Sequence, residues 1–89
     1  MDIKDVYGYE PYSVNDPEME VFLKAMDYLD VSQRSRGGLF GAIKRFLMNN
    51  DIIDGEWKHM SYTELVKLPY SGKCITVIVI AQMIENGIL

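Results

Sequence analysis

Two stretches of this chain set cations beside glycines: Arg34, Arg36 and Gly37 in one, Gly72 and Lys73 in the other. The chemistry open to such residues is anion binding. A guanidinium forks onto phosphate, and an ammonium grips it as a point charge. Lys73 stands where a helix is expected to open. A cation is unfavourable at that end of the macrodipole unless an anion answers it. Catalysis has no comparable footing. His59 and Cys74 are the sole histidine and cysteine, and they read as structural or incidental. No nucleophile–base–orienter set, no carboxylate pair at a defined spacing and no phosphate-cradling glycine loop after a strand is present. One cysteine and one histidine cannot build a zinc site, and a lone cysteine forms no internal disulfide. A binding protein without catalytic residues, metal or cofactor is expected.

The elements that position these residues read as short helices, an all-α fold. Residues 1–15 form an extended lead-in. Tyr7, Tyr9 and Tyr12 lack a helical period and are expected to lie across the domain, with an aromatic binding platform as the rival reading. A single helical domain then fills residues 16–89. Asp16-Pro17-Glu18 should open a first helix, with Asp16 capping and Pro17 pre-set for the first helical position. Met19, Phe22, Leu23 and Met26 give it one apolar stripe, fading near Tyr28–Asp30. Ser32 is the next cap. Gly37, Gly38 and Gly41 each weaken a helix by about 1 kcal/mol relative to alanine. That helix therefore either starts late, near Leu39, or uses its glycines for a close backbone approach. Leu39, Ile43, Phe46 and Leu47 should face inward, with Lys44 and Arg45 outward, until Asn49-Asn50-Asp51 ends it.

Residues 51–60 allow two readings. Asp54-Gly55 between Ile52-Ile53 and Trp57 is a hairpin-turn signal, predicting a small two-stranded excursion; a loop tucking Trp57 into the core fits equally well. Ser61 and Glu64 then form a capping box ahead of Leu65-Val66, and Pro69 stops the short helix. Across the turn Leu68–Gly72 a last helix opens at Gly72-Lys73. Ile75–Ile80 is β-branched enough to pass as a buried strand, but the apolar run continues through Ala81, Met83 and Ile84 before Gly87, a length that favours helix. The result is a helix-hairpin-helix domain of four to five short helices.

Composition bounds the class. The hydrophobic fraction is 48% and the charged fraction 25%, as in ordinary globular chains. The start, MDIKDVYGYEP, has no basic stretch followed by an apolar run, and the longest apolar segment is too short to span a bilayer. A cytoplasmic protein with a reduced thiol and no membrane partner is expected. The net charge of −4 is unevenly spread. Residues 1–30 carry eight acids and two bases, a net of −6, and residues 31–89 carry seven bases and five acids, a net of +2. Indiscriminate nucleic-acid binding is disfavoured while a locally basic face is not. Arg36, Lys44, Arg45 and Lys67 read first as a solvated face. Arg34 reads either as a partner for Asp30 or as a phosphate contact.

Three blocks, in order, resemble the C-terminal domain of the bacterial RNA polymerase α subunit. They are Asp16-Pro17; the run Met26 to Ser35, close to that family's V-D-x-L-x-L-[ST]-x-R-S with Leu39 one turn inside the helix; and Thr63 to Lys73, close to E-L-L-K-x-P-N-x-G-x-K/R, with Gly87-Ile88 echoing a G-L ending. The likeness covers roughly residues 16–88, with several extra residues between Leu39 and Pro69. It implies a non-enzymatic, transcription-related module that contacts DNA, RNA polymerase or a transcription regulator. Arg34 matches the principal DNA-contacting arginine, and Gly72 and Lys73 match the hairpin glycine and the basic position after it. Arg36 and Gly37 fall within the same implied DNA-binding set.

The departures imply a rival. Gly37 stands where the family usually has asparagine, Tyr70 replaces its loop asparagine, Cys74 and Ile75 replace a lysine and a serine, and Ile78 replaces an acid. At about 100° per residue, Ile75, Ile78 and Gln82 would put an apolar stripe where the DNA face should be. The alternative is therefore a protein–protein interaction module, a homodimer or a docked partner, with Cys74, Ile75, Ile78 and Gln82 as its interface. Intramolecular packing, residues 51–60, the N-terminal segment or another chain must cover this helix.

Overall fold

A computed structural model describes residues 16–69 and 72–89; the expectations for the tyrosines of residues 1–15, and for Tyr70 in the hairpin loop, lie outside these. The described chain is all-α. Four α-helices, α1 (Met19–Tyr28), α2 (Gln33–Asn49), α3 (Tyr62–Val66) and α4 (Cys74–Glu85), are joined by short turns and one 3-10 helix (Glu56–His59).

Local chemistry sets the ends of these helices. At the start of α1 the Asp16 carboxylate accepts from the Glu18 amide at 2.9 Å. At α3 the capping box closes in both directions, Glu64 N–H to Ser61 Oγ at 3.2 Å and Ser61 N–H to Glu64 Oε1 at 3.1 Å. Helices α1, α2 and α4 all end in one motif, a left-handed residue followed by an amide that reaches back five positions. Val31 donates to the Met26 carbonyl at 3.0 Å, Ile52 to Leu47 at 2.9 Å and Ile88 to Met83 at 2.9 Å. Gly87 supplies the left-handed residue after α4, but Asp30 and Asp51 supply the other two. Aspartate tolerates that region better than most residues with a Cβ.

Helix α2 starts at Gln33 and runs through all three glycines, so the late start near Leu39 is not found. Gly41 is buried, whereas a Cβ on Gly38 would meet nothing within 4 Å, so no close approach requires a glycine there. The two-stranded excursion at 51–60 is absent too, since the described residues hold no strand. The turn itself forms. Asp54 and Gly55 are both left-handed, and Glu56 N–H donates to the Ile53 carbonyl at 3.0 Å, as a two-residue hairpin turn demands. No ladder follows, because the Ile52 amide is already spent closing α2 and the chain beyond coils into the 3-10 helix.

The core is one cluster. Helix α1 lies along α4 in the most extensive packing of the domain, burying Val21, Phe22, Ala25 and Met26 against Ile75, Val77, Ile78 and Ala81. Phe40, Ile43, Phe46 and Leu47 close it from α2, and Trp57, 1% exposed, seals it from the 3-10 helix. The Trp57 ring lies 4.8 Å from the Phe22 ring, centroid to centroid, and Phe22 lies 5.9 Å from Phe40.

Lys44 does not face outward as its place in the sequence implies. Its ammonium lies 2.6 Å from Glu18 Oε1 and 3.0 Å from Asp16 Oδ2, with all three side chains largely covered. The other Glu18 oxygen accepts from the Trp57 indole N–H. Burial alone would lower the Lys44 pKa; the hydrogen bonds and charges of Glu18 and Asp16 outweigh it and hold the group above its ordinary 10.5. A lysine so raised contributes stability that is complete below its unfolded value and fades as pH rises through the folded one. Lys44→Met leaves two carboxylates facing each other, and urea unfolding at neutral pH should show a loss of about 2–3 kcal/mol. The gap between the two proteins should hold from about pH 6 to about pH 9 and shrink in stronger alkali.

Candidate anion-binding helix starts

The bases of the described chain divide by what they touch. Lys24 pairs with Glu20 at 3.2 Å, Lys44 with Asp16 and Glu18, and Lys58 with Glu85 at 3.8 Å. Arg36, expected among the DNA contacts, is consumed internally. Its Nε and Nη2 donate to the Val31 carbonyl at 3.0 and 2.9 Å, and its Nη1 pairs with Asp27. Its side chain is 16% exposed. It fastens the α1–α2 turn and offers nothing outward, a correction to its assignment as a DNA contact. The periodicity of α2 says only that Arg36 lies near the helix start; the acceptors it finds belong to the preceding turn.

Arg34 differs. It is exposed in the first turn of α2 and makes no hydrogen bond or ion pair among the described residues, neither with Asp30 nor with another acid. The helix start around it is open, because Ser32 occupies the N-cap position without capping. Its hydroxyl donates instead to Ser35 Oγ at 3.0 Å. The amides of Gln33 and Arg34 therefore have no intrahelical acceptor and no side-chain cap. Gly37 is half-buried one turn further on, inside the helix.

The start of α4 is similar. Lys73 is its N-cap residue, exposed, with no side-chain cap on the amides that follow. Gly72 before it holds φ at +42°, and a Cβ there would meet open space, so the left-handed backbone rather than crowding favours glycine. Both starts thus combine an exposed cation that has no partner among the described residues with an N-cap residue that does not cap, an arrangement that helix termini offer to phosphate. Helix α3 contrasts with them, its first turn being closed by Ser61 and Glu64.

The expected apolar interface on α4 is not a surface. Ile78 is 0% exposed and packs within the core, where Ile75 and Cys74 are also buried. Burial pushes the Cys74 thiol above its ordinary pKa. Gln82 turns inward, its amide donating to the carbonyls of Trp57 and Met60 at 2.5 and 2.7 Å. These four residues are therefore corrected from interface to interior. The 51–60 segment covers this side of α4, and Gln82 fastens it there. An apolar stripe at helical spacing shows that something covers it, and here the cover comes from the same chain.

Among the described residues no group of three or more His, Cys, Asp or Glu side chains could hold a metal ion, and no helix is long and apolar enough to cross a membrane. Comparison of the chain with protein-family models, curated proteins and solved structures gives no match.

The two arginines give a direct contrast. Arg36→Ala should cost about 1–2 kcal/mol in urea unfolding, having removed a charge-assisted clamp. Arg34→Ala should stay within about 0.5 kcal/mol of the parent, as surface changes do. Equal losses would mean that Arg34 is also engaged within the fold.

Proposed function

We propose that this protein is a non-enzymatic, transcription-related module that contacts DNA through the starts of α2 and α4. Arg34 reaches into the groove or onto a phosphate, and Gly72 and Lys73 present ammonium and amides to the backbone. The observation that carries this reading is the sorting of the bases: Lys24, Arg36, Lys44 and Lys58 are matched to acids, while Arg34 and Lys73 stand exposed at helix starts whose N-cap residues do not cap, with no partner among the described residues. The likeness of three sequence blocks to the polymerase α C-terminal domain supports it independently, because Arg34, Gly72 and Lys73 are the residues on which the two lines agree. RNA polymerase, or a regulator bound beside it, is the protein partner that this likeness implies.

The acidic balance limits the strength of binding. A chain with net charge −4 and two forward-facing cations neutralises few phosphates, so affinity for a generic duplex is modest and its salt slope shallow. Fluorescence anisotropy with a labelled duplex at low salt should give binding that Arg34→Ala and Lys73→Ala each weaken about tenfold. Each substitution should reduce the slope of log K against log salt by about one. Arg36→Ala, measured where it remains folded, should leave that slope unchanged. Absence of any anisotropy change for the parent at low salt would contradict the reading.

A further inference from the structure

Among the described residues, five large apolar side chains stand more than 40% exposed before the C-terminal end: Tyr28, Met48, Ile53, Tyr62 and Val66. Four of them form two pairs. Met48 and Ile53, 55% and 58% exposed, line one concavity of about 250 Å³ with Leu47 and Ile52 behind them. Its rim is Glu18, Lys44 and Asp54. Lys44 is already matched by Asp16 and Glu18, so the Asp54 carboxylate leaves the rim net acidic. Tyr62 and Val66, 62% and 42% exposed, lie four residues apart on the outer face of α3, with Leu65 of the same helix buried behind them. Lys67 follows at the end of that helix, exposed and with no partner among the described residues.

We propose that the protein associates with a second copy of itself head to tail, the Tyr62–Val66–Lys67 strip of one copy seating in the Met48–Ile53 concavity of the next. Charge complementarity names the occupant: the concave patch is apolar with an acidic rim, and the convex strip is apolar with a free lysine. A contact between two different faces is heterologous, so each copy keeps one face open and the assembly grows until it closes or is capped. The contact is built from neither Arg34 nor Lys73 and does not depend on the DNA reading.

Sedimentation velocity on the full chain, from about 10 µM to about 1 mM, tests it. The weight-average sedimentation coefficient should rise with concentration. Ile53→Lys removes the concave face and Tyr62→Ser the convex one. Both sites are more than half exposed, so each variant should keep the parent's far-ultraviolet circular dichroism, and each alone should sediment as a monomer throughout. Mixed in equal amounts, the two should form a species that stops at the dimer, because each supplies the face the other lacks. A parent that stays monomeric, variants that still associate alone, or a mixture that stays monomeric would overturn the proposal.

Discussion

The Glu18 carboxylate is the interaction on which the remaining structure depends. One oxygen accepts from the Trp57 indole and the other from Lys44, which also holds Asp16. This joins the start of α1, the middle of α2 and the 3-10 helix, segments distant in sequence. It also satisfies the one polar atom of a tryptophan that is otherwise wholly buried, without which sealing the core would leave an indole N–H unpaired. With Trp57 fixed against Phe22, the 51–60 segment lies over α4, and Gln82 secures it by bonding its carbonyls. That cover is what allows α4 to be apolar almost all round in so small a domain.

The same economy of charge shapes the surface. Acids crowd the first thirty residues and bases follow, but the fold brings several of them together: Asp27 with Arg36, Asp16 and Glu18 with Lys44. What remains outward is not the average of the composition. Arg34 and Lys73 are left exposed at helix starts that no side chain of the described residues caps, so an acidic protein presents small points of positive charge. Local pairing, not net charge, decides what an anion meets.

Much of the fold was legible in the sequence because its helix ends are short-range. The Ser61–Glu64 capping box, the stop at Asn49–Asp51, Gly87 after α4 and the choice of helix over strand for Ile75–Ile80 depend on neighbours within a few residues. The misreadings involve contacts between segments. Arg36 and Lys44 sit on a helix flank where the periodicity of α2 predicts solvent, and only the packed neighbours reveal their acids. Asp54-Gly55 makes the turn its residues dictate, but the strands need partner amides, and that of Ile52 is committed to α2. The apolar run of α4 showed that it must be covered but not by what. Of the candidate residues, Arg34, Gly72 and Lys73 are exposed at helix starts, whereas Cys74, Ile75 and Ile78 pack into the core and Gln82 bonds inward to the 51–60 segment, contacts that periodicity alone does not reveal.

The central claim, that the uncapped starts of α2 and α4 are where this protein meets phosphate, is tested most directly by amide chemical shifts. A ¹⁵N-labelled sample titrated with a short DNA duplex at low salt should show its largest shifts at the amides of Gln33 and Arg34 and of Lys73, Cys74 and Ile75. The capped amides of Ser61 and Glu64 at the start of α3 should stay nearly still. Shifts concentrated elsewhere, or spread evenly over the surface, would contradict it.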